Sequence, residues 1–219
     1  STFELAKRLK RAASEHKGNA GKALLIGGAP GMAGALLLAG NACLHLGAGW
    51  TILEILDLAS AHADKEHPEL MIRLANHQPG EALHQTQPDV IAIGPGLGNS
   101  ALAIEWLKAC LAYPKIPLVL DADALNLIAD SEELLKALQK RNQEFPNQSV
   151  LTPHPGEAAK LLTYGWGMIP VIATIGHIEF KTSMFAKNGT YVLPLKNVVR
   201  LPLKLEAGDT VSVSMVLGA

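Results

Sequence analysis

Hydrophobic and polar positions along the chain fall into a repeating order: a short apolar run, a Gly or Pro turn, then a stretch with helical spacing. The apolar runs at residues 23–26, 50–56, 90–93, 118–120 and 149–151 predict strands. Between them, about 32–46, 100–112, 124–140 and 156–162 predict helices. Ahead of these, residues 1–14 carry Ser1 and Glu4 at capping-box spacing, with Leu5, Leu9 and Ala12 along one face, and predict an amphipathic helix. Alternation of this kind predicts an α/β fold: a mostly parallel sheet covered on both faces, with ligands at the carboxyl ends of its strands.

Beyond Tyr164 the pattern changes. From Ile178 onward short extended stretches are punctuated by Lys187-Asn188-Gly189-Thr190 and Ala207-Gly208-Asp209-Thr210, followed by alternation at Val211, Val213 and Met215. This predicts β-hairpins, and a boundary within 165–170 divides a core of residues 1–164 from a β-rich tail of residues 165–219.

Composition narrows the class. At 219 residues and 48% hydrophobic the chain suffices for one large domain, or one domain and an appendage. Nineteen basic against twenty acidic residues give a formal charge of −1, so nothing favours nucleic acid or a membrane surface as the partner. With short apolar runs and no basic-then-apolar start, the expected compartment is the cytoplasm. Cys43 and Cys110, far apart in apolar surroundings, fit reduced core thiols.

Four loops carry candidate chemistry. Gly27-Gly28-Ala29-Pro30-Gly31-Met32-Ala33-Gly34-Ala35 follows a strand and opens a helix of small residues, where backbone amides at the helix start could meet a phosphate. It is neither a G-x-G-x-x-G fingerprint nor a P-loop. Alternatively, Gly34, Ala35, Ala39, Gly40 and Ala42 serve close packing of the helix on the sheet. Gly94-Pro95-Gly96-Leu97-Gly98-Asn99 has the same setting and offers a second floor of backbone N–H groups, or a tight turn. Asp121-Ala122-Asp123 places two carboxylates at a strand end, where charge needs a partner, water or a cation. Asp123 also fits a helix N-cap. Thr152-Pro153-His154-Pro155-Gly156-Glu157 is stiffened by two prolines that fix the directions of His154 and Glu157, although Glu157 also suits the first turn of a helix. His62 and His67 read as a solvated loop rather than metal ligands, and the three tryptophans as packing.

Six motifs occur in order over about residues 15–162: His16-Lys17-Gly18 with Gly21, the loop from Gly27 to Ala35, His67-Pro68-Glu69-Leu70-Met71, Gly94-Pro95-Gly96-Leu97-Gly98, Asp121-Ala122-Asp123-Ala124-Leu125-Asn126, and Thr152-Pro153-His154-Pro155-Gly156-Glu157. Together they resemble the ADP/ATP-dependent NAD(P)H-hydrate dehydratases, a family of ribokinase-like fold. The resemblance implies a three-layer αβα core and a repair reaction: ADP or ATP phosphorylates a hydroxyl on the hydrated nicotinamide ring, and phosphate then leaves to regenerate NADH or NADPH. It implies that Ala35, Gly96 and His154 contact the hydrated dinucleotide, that Gly28, Gly31, Gly34, Gly94 and Gly98 shape phosphate loops, and that Glu157 with Asp121 holds Mg²⁺ through water. It also implies a homo-oligomer.

The resemblance fades at the carboxyl end. The family continues into a Gly-x-Gly-Asp loop whose Asp activates the acceptor hydroxyl. Here Glu206-Ala207-Gly208-Asp209 stands in that order with Glu206 in place of the first glycine, so Gly208 and Asp209 are candidates for the phosphate loop and the catalytic carboxylate. The stretch around Leu203-Lys204-Leu205-Glu206-Ala207-Gly208-Asp209-Thr210-Val211 is also similar to small β-barrel modules such as AbrB-like domains. On that reading the tail is foreign to the core. Alternative functions are a small-molecule kinase of the same fold and a nucleotide-binding protein without turnover.

Overall fold

The computed structural model describes residues 20–60, 67–161, 169–187, 190–206 and 208–217. The helix expected over residues 1–14, His62 and Trp166 lie outside them. The secondary structure runs β1 (Lys22–Gly27), α1 (Ala33–His45), β2 (Trp50–Ile55), a 3-10 turn (Leu58–Ser60), β3 (Met71–Leu74), α2 (Pro79–Thr86), β4 (Val90–Ile93), α3 (Ala101–Ala112) and β5 (Leu118–Leu120). It continues with α4 (Ala122–Ala129), α5 (Glu132–Glu144), β6 (Ser149–Leu151), α6 (Pro155–Leu161), β7 (Ile169–Ile175), β8 (Ile178–Lys187), β9 (Thr190–Val192), α7 (Asn197–Arg200) and β10 (Val213–Leu217). A six-stranded sheet has the order β3-β2-β1-β4-β5-β6, and a four-stranded sheet the order β10-β7-β8-β9. The chain divides after Val119 into two compact units.

In the first unit β1 pairs in parallel with β2 on one side and β4 on the other, and β2 with β3. β1 and β2 are buried almost end to end, and α1 packs against both. One layer of core is Leu25, Leu53 and Ile55 against Ala33, Leu36 and Leu70. Trp106 of α3 is completely buried, and its indole N–H donates to the Asn76 carbonyl at 3.0 Å. Truncating such a side chain to Ala typically costs about 3–5 kcal/mol.

In the second unit, α4 and α5 replace the single helix expected over residues 124–140. The break falls at Asp130-Ser131, where the Ser131 hydroxyl caps α5 by accepting from the Leu134 amide at 3.3 Å. Lys160 of α6 reaches back to Asp130 at 2.6 Å. The tail is antiparallel throughout, and the hairpin begins at Ile169, earlier than the sequence pattern predicts. Gly176, at φ +60°, supplies the left-handed residue of the β7–β8 turn. Val171 and Ala173 form the small core of this sheet with Phe180, Met184, Leu193 and Val213.

β3, α2 and α7 are additional to the elements expected from sequence. β3 shows why: it sits at the sheet edge, its four residues are exposed or half-buried, and Arg73 interrupts its apolar residues.

Candidate functional site

Two loops of the first unit meet where the strand order reverses. β1 leads through α1 to β2 on one side, whereas β4, its other neighbour, arrives through α2. A crevice outside the carboxyl ends of β1 and β4 follows from that switch point, and it is where open α/β sheets bind ligands. The loops after β1 and β4 dock there backbone to backbone: the Gly28 amide donates to the Pro95 carbonyl at 3.3 Å, and the Ala29 amide to the Gly96 carbonyl at 2.7 Å.

This contact dictates the glycines. A Cβ on Gly27 would stand 2.1 Å from the Pro95 oxygen, and one on Gly96 would stand 2.5 Å from the Met32 oxygen. Gly28 is similarly closed by Ile55, at 2.8 Å. Gly31 is held at φ +78° with open space around it, so its conformation alone requires glycine. Gly34 has neither constraint, since a Cβ there meets nothing within 4 Å. Close packing on the sheet explains Gly40, whose Cβ would approach Leu53 to 2.9 Å. It does not explain the exposed Gly34, Ala35 and Ala42.

No side chain caps the amino end of α1, so its first-turn dipole faces outward uncompensated. The helix after the second loop differs, because the Ser100 hydroxyl accepts from the Ala103 amide at 3.2 Å. The second loop is also less open than its sequence suggests: the Gly94 amide donates to Ile26 at 3.2 Å and the Leu97 amide to Gly94 at 3.0 Å. Those two amides are structural. Gly94 and Gly98 take φ +135° and +68°, conformations that admit the tight turn.

The second unit carries the acidic residues. Asp121 occupies the N-cap position of α4 without capping it. Its carboxylate instead accepts from the Thr152 hydroxyl at 2.7 Å, and the Thr152 amide donates to the Leu120 carbonyl at 3.1 Å. Asp123, weighed above as the N-cap, falls inside the first turn. Between them Ala122 is held at φ +44°, a left-handed conformation that costs about 1–2 kcal/mol for a residue with a Cβ.

His154 and Glu157 form a capping box at the start of α6. The His154 Nδ1 accepts from the amides of Gly156 at 3.0 Å and Glu157 at 3.3 Å. In return Glu157 accepts from the His154 amide at 2.9 Å, and its other oxygen lies 3.2 Å from Nε2. Histidine thus takes the place usually held by Ser or Thr, with Pro155 suited to the first helical position. Since Nδ1 is an acceptor, the proton of the neutral ring sits on Nε2, facing Glu157. A Cβ on Gly156 would stand 2.9 Å from the ring. The His154 side chain remains 67% exposed and Glu157 8%, so the ring is displayed and the carboxylate is buried beneath it. The first-turn placement weighed for Glu157 is the one observed.

Asp209 belongs to a turn. Its Oδ2 accepts from the Glu206 amide at 2.7 Å, and its own amide donates to the Glu206 carbonyl at 3.2 Å. Gly208, at φ +103°, closes that turn.

Among the described residues no three His, Cys, Asp or Glu side chains group as a metal-binding set. Both Glu157 oxygens are engaged by His154, and one carboxylate oxygen of Asp121 by Thr152. Such a set suits a hydrated Mg²⁺ that takes other ligands from water and substrate phosphates, and does not suit a dehydrated ion. The one feature that sequence reading missed here is Thr152 as the partner of Asp121. Its position at the end of β6, beside β5 in the sheet order, is the signal that a strand alignment would supply.

Residues 23–184 match the family model described as NAD(P)H-hydrate dehydratase. The chain is 38% identical over 169 residues to a bifunctional NAD(P)H-hydrate repair enzyme of Leishmania major, covering 70% of this chain and 30% of that enzyme. To the ADP-dependent (S)-NAD(P)H-hydrate dehydratase of Lactiplantibacillus plantarum it is 36% identical over 167 residues, covering 73% of this chain and 56% of that one. Two solved structures share the fold. A ribokinase-like superfamily protein from Enterococcus faecalis has TM-score 0.56 at 31% identity, over 70% of this chain and 52% of that one. The Bacillus subtilis ADP/ATP-dependent NAD(P)H-hydrate dehydratase, co-crystallised with ATP and Mg²⁺, has TM-score 0.56 at 28% identity, over 70% and 51%. The chain thus spans between about a third and just over half of these relatives' lengths. Matched over most of its own length, and with a glycine-loop crevice at the switch point of a mostly parallel six-stranded sheet, the chain belongs to the NAD(P)H-hydrate dehydratase family, with a ribokinase-like fold.

Proposed function

We propose that this chain catalyses the ADP- or ATP-dependent dehydration of hydrated NADH or NADPH, by phosphorylation of the ring hydroxyl and loss of phosphate. The observation that carries the proposal is the docking of Gly28 and Ala29 onto Pro95 and Gly96. It yields a preorganised floor beside an uncapped helix start, and phosphoryl transfer depends chiefly on such positioning and charge neutralisation.

In this reading Ala35 and Gly96 line the hydrated dinucleotide, and His154 meets it with the exposed face of a ring whose tautomer is fixed. Gly28, Gly31, Gly34, Gly94 and Gly98 shape the phosphate loops, and Gly208 is proposed for the same role. Glu157 and Asp121 would hold Mg²⁺ through water, and the ion when bound would neutralise charge on the transferring phosphoryl group. Cys43 and Cys110, neither of them in a disulfide, support a reducing, cytoplasmic setting. Among the described residues no helix is long and apolar enough to cross a membrane. Leu38 of α1 and Leu46 just after it are 73% and 75% exposed, which supports assembly with further copies of the chain.

The test is to incubate chemically hydrated NADPH with ADP or ATP and Mg²⁺ and follow the return of dihydronicotinamide absorbance. Recovery above buffer supports the proposal, and none opposes it. A second reading, nucleotide binding without turnover, is favoured by the engagement of Asp209 in its own turn. Calorimetric binding of nucleotide by a protein that restores no absorbance would select that reading.

A further inference from the structure

Asp121 stands at the N-cap position of α4, where an aspartate ordinarily accepts from an amide of the first helical turn, yet it makes no such bond. Its Oδ1 accepts instead from the Thr152 hydroxyl at 2.7 Å. The pair joins the ends of β5 and β6, neighbours in the sheet. Stability of α4 alone favours the cap, and this clamp gives it up.

Thr152 is itself held. Its amide donates to the Leu120 carbonyl at 3.1 Å, the following Pro153 restricts it to extended backbone, and its β-branched side chain turns little about χ1. The hydroxyl has one proton to give. It lies 2.7 Å from the Asp121 carboxylate and 3.3 Å from the Leu120 carbonyl, and the shorter, charge-assisted bond takes that proton. The backbone beyond Asp121 is fixed as well: Ala122 keeps a left-handed φ of +44°, and the Asn126 side-chain amide donates to its carbonyl at 3.3 Å. Such strain persists only where neighbours over-determine it, and it clusters at functional sites.

We propose that Thr152 is a positioning residue for the magnesium-dependent step: its hydroxyl withdraws the Asp121 carboxylate from its own helix and holds it for a hydrated Mg²⁺. This inference rests on the reading above that Asp121 and Glu157 hold the ion. Groups that orient a metal's ligands are commonly worth tenfold or more in metal affinity, so the clamp should show as a loss confined to magnesium.

The experiment is titration calorimetry of the full chain with ADP and with ATP, each in magnesium chloride and in EDTA, after thermal unfolding has verified each variant. The unaltered chain should bind nucleotide more tightly with magnesium. Whichever of Thr152→Val and Thr152→Ala folds should weaken nucleotide roughly tenfold in magnesium and less than about twofold in EDTA. Thr152→Ser, which restores the hydroxyl, should stay within about threefold of the unaltered chain in both. Asp121→Asn should show a magnesium-specific loss at least as large, and adding Thr152→Val to it should cost nothing more, because a residue acting through another is not additive with it. Full magnesium dependence in a folded Thr152→Val protein, an equal loss in EDTA, no rescue by Thr152→Ser, or a further loss in the double variant would overturn this inference and leave the assignment of Asp121 and Glu157 standing. An unaltered chain that binds neither nucleotide, or binds them equally with and without magnesium, would overturn both.

Discussion

The imidazole of His154 and the carboxylate of Glu157 satisfy each other's backbone: Nδ1 receives the Glu157 amide at 3.3 Å, and Oε2 receives the His154 amide at 2.9 Å. The ring is therefore a helix cap as well as a displayed group, and the two roles separate by substitution. His154→Ser retains an N-cap acceptor and should keep stability within about 0.5 kcal/mol, whereas His154→Ala should cost about 1 kcal/mol in denaturant unfolding. Both should weaken binding of the dinucleotide if the ring faces it. Full affinity in a stable His154→Ser protein would confine His154 to capping.

The glycines of the first loop divide by what surrounds them. Gly27→Ala places a methyl group 2.1 Å from the Pro95 oxygen and should destabilise by about 3 kcal/mol or more, because the obstacle is backbone. Gly34→Ala meets open space within α1 and should stabilise by about 0.5–1 kcal/mol through helix propensity. A concurrent loss of nucleotide affinity in Gly34→Ala would locate the phosphate at this helix start, while unchanged affinity would remove Gly34 from the site.

Glu54, 4% exposed on β2, gives the first unit a pH dependence. Burial pushes its carboxyl up from 4.5 to about 7, against the opposing pull of the Arg73 guanidinium 3.9 Å away. Between those two values the folded chain keeps a proton that the unfolded chain has released. Stability is thus highest below the lower value, falls as pH rises through the window, and remains reduced above it, by an amount on the order of 3 kcal/mol. Glu54→Gln should raise stability by roughly 1–3 kcal/mol near pH 8 and by almost nothing near pH 4, read from paired denaturant titrations. A gain independent of pH would show that burial is not the cause.

Asp209 makes a turn with Glu206, so Asp209→Ala should cost at most about 1 kcal/mol of stability and leave the rate of the proposed dehydration unchanged. A large loss of rate in a folded variant would give Asp209 the catalytic role that family resemblance implies.

Strands β1, β2, β4, β5 and β6 were legible because each is an apolar run bounded by turn residues. β3 was not, since Arg73 interrupts its apolar residues and, as an edge strand, it leaves most of its positions exposed. The break between α4 and α5 escaped because Leu125, Ile128, Leu134, Leu135 and Leu138 keep a helical apolar period across it. Only Ser131 marks the interruption, and a serine on its own is weak notice of a cap.

Sequence by itself determined the α/β class, the family and the positions of the loops, because periodicity, turn chemistry and motif order are properties of neighbours along the chain. Tertiary structure decided which glycines are obligatory, since Gly27 and Gly96 are closed by atoms of other segments. It also decided the partners of the polar groups that lie far apart in sequence: Thr152 takes Asp121, and the Gly94 amide takes the Ile26 carbonyl. Hydrogen-bond satisfaction depends on groups brought together across tens of residues, and no local pattern encodes that geometry.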